Sequence, residues 1–289
     1  TFTLGATGQN VTANSTGGSG EIQIDTDTLT SITGTFDDNG GNDTIKLNVE
    51  SNANISTANT TDVDKIALAD GVNVTMTVAQ HALLDGAAGT NTITLSNAGT
   101  ITADANVETY VLANGGGTTI TIGANGQNVT TGNGADTIDV GNRTATGTFT
   151  TSSTSTIKLS NNANIAGVNA EGNGAGTAFT ANNLTLVTGA SVTMTAAQNN
   201  SFSTGTTTAG GTNTIDITAA ASVTGLANIE TYTLAAGAQT FTLGATAQNV
   251  TADGTGGSGL ITIDTSTLTS VTGTFDDNGG NDTIKLNVE

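Results

Sequence analysis

Residues 1–50 and 240–289 are nearly the same sequence: TFTLGATGQNVTANSTGGSGEIQIDTDTLTSITGTFDDNGGNDTIKLNVE returns 239 residues later with a handful of substitutions. A weaker period lies inside the first. NVETYVLANG at Asn106 returns as NIETYTLAAG at Asn228, TFTLGATGQNVT at Thr1 is echoed by TITIGANGQNVT at Thr119, and GVNVTMTVAQ at Gly71 returns as GASVTMTAAQ at Gly189, with offsets of 118 to 122 residues. The sequence therefore divides into half-repeats at 1–118 and 119–239, with 240–289 opening the next period. The first copy ends on Glu50 and runs on into Ser51, so the chain reads as one period plus an overlap from a longer array.

Within each half the recurring unit is a short alternating run such as EIQID, DTIKLNV, NTITLS, DTIDV, STIKLS or NTIDIT. Apolar residues at i and i+2 with Thr between them place Ile, Leu and Val on one face of a strand and β-branched hydroxyls on the other. The central apolar positions Ile24, Ile45, Ile66, Ile93, Ile120, Ile138, Ile157, Leu184, Ile215, Phe241, Ile263 and Ile284 are 18 to 31 residues apart, the size of one solenoid coil. That spacing predicts about a dozen coils. Gly, Asn and Asp clusters between the runs supply tight turns. Proline is absent, as a stack in which every coil donates backbone N–H groups to its neighbour requires. TVAQHALLDG and TAAQNNSF are the two helical candidates, each one turn or an irregular corner.

The expected fold is all-β: a right-handed parallel β-solenoid, or β-helix, of Thr/Asn/Gly-rich repeats. The alternative is a string of tandem β-sandwich domains, which call for bulkier core residues than a chain with 3% aromatics offers. Charge narrows the partners. Five basic residues against 24 acidic ones, net −19, repel a phosphate backbone, so nucleic acid is not an expected partner. No run approaches the length of about 20 apolar residues needed to span a bilayer as a helix, so no membrane insertion is expected. Such an acidic surface attracts divalent cations.

GNDTIKL at Gly41, GNGADTIDV at Gly132 and GNDTIKL at Gly280 resemble the nonapeptides of RTX proteins, G-G-x-G-x-D-x-(apolar)-x. The wider Thr/Asn/Gly-rich pattern is similar to that of the "beta strand repeat" proteins among bacterial surface layers and giant repetitive adhesins. Gly132, Gly134, Asp136 and Ile138 match the nonapeptide, whereas Asp38/Asn39 and Asp277/Asn278 stand where its glycines belong. The resemblance implies export and calcium-driven folding outside the cell. Independently of it, the carboxylates and amides of one tight Gly-containing loop, Asp37, Asp38, Asn39 and Asp43, and its copy Asp276, Asp277, Asn278 and Asp282, offer the several oxygen ligands a hard cation wants. The bland reading is that Asp and Asn are simply good turn residues.

Chemistry of other kinds is thinly represented. His81 is the single histidine, replaced by Asn199 in the other half, and is expected to be a solvated corner. With no Cys beside it, zinc has no suitable ligand set. Tyr110 and Tyr232 hold equivalent repeat positions, which favours a structural role at a strand end over a sugar platform. The chain is expected to be no enzyme. It reads as a structural repeat segment of a secreted surface layer, sheath or extracellular filament that assembles with itself, repeat to repeat or head to tail. The stalk of a cell-surface adhesin is the second reading, and a carbohydrate-active β-helix enzyme a remote third.

Overall fold

A computed structural model describes residues 1–13, 19–171, 179, 183–207, 211–253, 259–279 and 282–288; Gly280 and Asn281 of the last motif copy lie outside them. The chain is a parallel β-solenoid with about 14 turns in all and almost no helix, which decides against tandem sandwiches. It forms two compact units, Thr1–Asn133 and Gly134–Glu289. Their division falls inside the second half-repeat.

In the first unit one sheet stacks Phe2–Thr3, Glu21–Asp25, Thr44–Val49, Lys65–Leu68 and Leu84–Ala87 in that order, all parallel. A second runs through Ala53–Asn54, Asn73–Met76, Thr92–Leu95, Thr109–Val111 and Asn128–Thr130. Because the side-chain period of a strand is two, register places the same face of every coil over the core. Columns of apolar side chains result: Ile24, Leu47, Ile66 and Leu84 in the first sheet, and Val74, Ile93, Tyr110 and Val129 in the second. Val74, Ile93, Tyr110 and Val129 are all essentially inaccessible to solvent.

The second unit repeats the plan. Val192, Ile215, Tyr232, Val250 and Phe275 form one column, and Val223, Phe241, Ile263 and Leu286 another. The first of these is the half-repeat copy of the Tyr110 column.

The single series of strand centres expected from spacing is distributed over several sheets. Ile24 faces Leu47 rather than Ile45, Ile66 is followed by Leu84, and Ile93 belongs to another sheet, between Val74 and Tyr110. Each coil carries more than one strand, and short ones such as Ala53–Asn54 and Thr109–Val111 leave too few alternating residues to show a period.

Turns are closed by buried glutamines. Gln80 Nε2 donates to the carbonyls of Ile55 and Ala58, Gln127 to Asp104 and Val107, Gln198 to Ile165 and Val168, and Gln248 to Leu226 and Ile229. In each case the two acceptors flank one turn of the preceding coil, and the amide satisfies carbonyls that the turn leaves inside the stack. The short helices Val78–His81 and Ala196–Ser201 serve the same purpose. Both open with a capping box, Thr77 with Gln80 and Thr195 with Gln198, and this box holds the glutamine aimed backwards. Gln127 and Gln248 are held without a helix, their Oε1 accepting the N–H groups of Gly123 and Ala124 or of Gly244 and Ala245. There the backbones approach so closely that a Cβ on Gly244 would overlap the Gly225 carbonyl oxygen.

Candidate functional site

The residues just before strands form short polar ladders beside the apolar columns, in several of the sheets. Asp43 Oδ1 accepts the N–H of Gly20 at 2.9 Å, Asp64 Oδ2 that of Ile45 at 2.8 Å, Asn91 Oδ1 that of Val72 at 3.0 Å, and Glu108 Oε2 that of Asn91 at 2.8 Å. The second unit does the same. Asn213 Oδ1 accepts from Ala190 at 2.9 Å, Glu230 Oε2 from Asn213 at 2.9 Å, and Asp282 Oδ1 from Gly259 at 2.8 Å. In every case the donor is the residue opposite in the preceding coil, one that the parallel ladder does not itself satisfy.

These ladders account for the aspartate of the D-T-I motif. Asp43 and Asp282 are inter-coil acceptors, and neutral Asn91 and Asn213 do the same work at equivalent places. Asp136 precedes the strand Thr137–Gly141 in the same way and is fully buried. The motif glycines have packing roles. A Cβ on Gly132 would overlap the Ala113 carbonyl oxygen, and the Gly134 carbonyl accepts the hydroxyls of Ser152 and Thr154 at 3.2 and 2.8 Å. The signal for these ladders in the sequence is Asp, Asn or Glu followed by Thr and then Ile or Tyr, at 43, 91, 108, 136, 213, 230 and 282; Asp64, followed by Lys-Ile, does not carry it.

The loop carboxylates part company. Asp37 and Asp38 meet Asp62, from the following coil, with one carboxylate oxygen of each within 4.8 Å of the others, and Asp43 is not in this group. The turn shaping this cluster is built locally: Asp37 Oδ1 accepts the Asn39 N–H at 2.7 Å, Asp38 Oδ1 accepts that of Gly40 at 2.9 Å, and Asn39 and Gly40 take positive φ of 55° and 71°. Loss of hydration and the neighbouring Asp37 and Asp38 carboxylates hold the Asp62 carboxyl above its ordinary range. Asp276, Asp277 and Asn278 reproduce the turn, with bonds from Asn278 and Gly279 at 2.9 and 3.2 Å. Asp62 was not expected at the cluster, because no local pattern joins it to a turn 24 residues earlier. Three carboxylates from two successive coils, two of them half-buried, are the oxygen ligands that suit a hard divalent cation keeping part of its water shell.

His81 is not a solvated corner. It is buried, 7% exposed, with Nε2 3.1 Å from the Tyr110 hydroxyl and the two rings edge to face at 5.6 Å. The capping box that aims Gln80 inwards turns the next residue inwards too. Tyr110 lies in the middle of Thr109–Val111 rather than at a strand end, and its hydroxyl accepts the Asp104 N–H at 2.8 Å. Tyr232 accepts the Leu226 N–H at the same distance and donates to Asn199 Oδ1 at 3.3 Å. Both tyrosines are fully buried and present no ring to a ligand.

Among the described residues no helix is long and apolar enough to cross a membrane. No family model, curated protein or solved structure matches the chain.

Proposed function

We propose that the chain is a structural repeat segment of an extracellular surface layer, sheath or filament, and that its partner is a further coil of its own repeat. One observation carries this reading. The strand Thr44–Val49 and its copy Thr283–Asn287 share the sequence TIKLN, yet Leu47 and Val49 are 0% exposed under the next coil while Leu286 and Val288 are 47% and 72% exposed. At the other end Phe2 is 40% exposed where its copy Phe241 is 0% exposed. Gln9 Oε1 accepts the Gly5 N–H as Gln248 accepts that of Gly244, but among the described residues Gln248 of this pair is the one with two carbonyls of an earlier coil beneath its amide.

The two end coils thus present faces that the same sequence buries elsewhere in the chain, and the cover proposed is a strand like Lys65–Leu68 with Asp64 ahead of it at one end and a coil like that of residues 223–234 at the other. An unpaired parallel edge with an apolar column behind it is a template for another coil, whether from the same polypeptide or a second copy. The role proposed is covering and extending, without catalysis. Calcium is the cation proposed for Asp37, Asp38 and Asp62, where it would offset repulsion in a chain of net charge −19.

The test is electron microscopy of the purified chain, and of a version extended after Glu289 by a second copy of residues 51–90, with and without millimolar calcium. Uniform filaments or ordered lattices are expected, with higher stability in the extended chain. Single flexible strands in every condition would favour an adhesin stalk. An extended chain no more stable than the original would overturn the continuing-coil reading.

A further inference from the structure

Tyr110 has one hydroxyl proton and two uses for its oxygen. The oxygen accepts the Asp104 N–H, so the proton needs an acceptor, and His81 Nε2 is the one in reach among the described residues. An imidazole that accepts at Nε2 is neutral and carries its proton on Nδ1. The other half-repeat supports this assignment. There Asn199 replaces His81, turns its Nδ2 to the Thr224 carbonyl at 2.8 Å, and leaves Oδ1 to accept from Tyr232. An acceptor is what the position requires in both halves. Asn199 provides one at any pH, and His81 only while it is deprotonated.

We propose that His81 is an acid-responsive latch on the coil that carries the turn Asp104–Val107. Neutral His81 accepts the Tyr110 O–H, Tyr110 accepts the Asp104 N–H, and Gln127 Nε2 donates to the carbonyls of Asp104 and Val107, so three side chains from three positions clamp one turn. Protonation at Nε2 turns the acceptor into a donor, leaving the Tyr110 hydroxyl proton without a partner inside the core. A groove of about 460 Å³, lined by Val78, His81, Leu84, Thr100, Thr102 and Asp104, gives water a route to the latch.

The strand Thr100–Thr102 brings no charge to His81, and Asp104 is the carboxylate that acts on the imidazole. Glu108 is engaged with the Asn91 N–H, and Asp85 lies 3.7 Å from both Lys46 and Lys65. Burial pushes the imidazole below its ordinary value and Asp104 opposes this, with burial the larger effect. A base held neutral by the fold contributes stability that is complete above its unfolded pKa of about 6.5 and is lost as pH falls from there through the folded value. His81 is the single histidine, so a pH dependence that changes with the residue at 81 belongs to it.

The experiment is thermal unfolding of the full chain at pH 7.5 and pH 5.5, for the native sequence, for His81→Asn and for Asn199→His, together with 15N imidazole shifts of the native protein. The native midpoint should fall between the two pH values. His81→Asn, which installs the partner used by the other half, should remove most of that fall, and Asn199→His should deepen it. The shifts should show Nδ1–H at pH 7.5 and a titration below about 6.5. Equal pH dependence in all three chains, or an Nε2–H tautomer at neutral pH, would overturn the proposal. If His81→Asn does not fold, Asn199→His and the shifts still decide it.

Discussion

Asn91 and Glu108 are register neighbours one coil apart, joined by a backbone N–H of Asn91 that reaches Glu108 Oε2 at 2.8 Å, while Asn91 Oδ1 takes the Val72 N–H on its other side. Asn213 and Glu230 repeat the arrangement. Since the N–H is partly sheltered, losing its acceptor costs more than the bond's net value. Glu108→Ala should destabilise by about 1–3 kcal/mol and Glu108→Gln by clearly less, because Gln keeps an acceptor oxygen. Chemical denaturation of the two variants measures this, and equal losses would show that charge, not acceptance, matters.

Asp43 and Asp62 should separate structural from cation roles. Asp43→Asn keeps an oxygen for Gly20 and should leave any calcium-dependent rise in melting temperature unchanged, whereas Asp62→Asn should diminish it. Melting curves in millimolar calcium and in chelator make the comparison. A calcium response lost in Asp43→Asn and kept in Asp62→Asn would reverse the assignment.

The pH response of Asp62, beside Asp37 and Asp38, has the opposite sign to that of His81. A carboxyl whose folded pKa is raised binds its proton more readily in the folded state, so folding gains stability as pH falls through that raised value. Without calcium, Asp62→Asn should be more stable than the native chain near pH 7, and the difference should shrink as the solution is acidified towards about pH 4. A difference independent of pH would dissociate Asp62 from its neighbours.

Gln127 satisfies two carbonyls with one amide, so Gln127→Glu should be worse than Gln127→Ala. Alanine leaves two acceptors unpaired, a loss of about 2–5 kcal/mol, and glutamate adds a carboxylate facing them. A Glu variant more stable than the Ala variant at pH 7 would mean that the side chain turns outward and that the clamp is dispensable.

Strand identity, the absence of proline and the long and half-length periods are local or linear properties, and they determined that this chain stacks parallel coils. A residue alternating with Thr needs no distant partner to choose the extended state, and the pre-strand Asp, Asn or Glu was equally legible as a recurring neighbour of Thr-Ile or Thr-Tyr. Register was not. A shift of two residues preserves the apolar face, so alternation by itself does not choose Leu47 over Ile45 as the neighbour of Ile24; the register found is the one in which Asp43 takes the Gly20 N–H of the preceding coil. His81 likewise looked like a corner because its burial depends on Tyr110, 29 residues away, and Asp62 looked unremarkable because its neighbours arrive with the preceding coil. Tertiary structure alone brought these pairs together, since in a solenoid the residues that touch are one coil apart, and the length of each coil is set by turns whose geometry the alternation of strands does not encode.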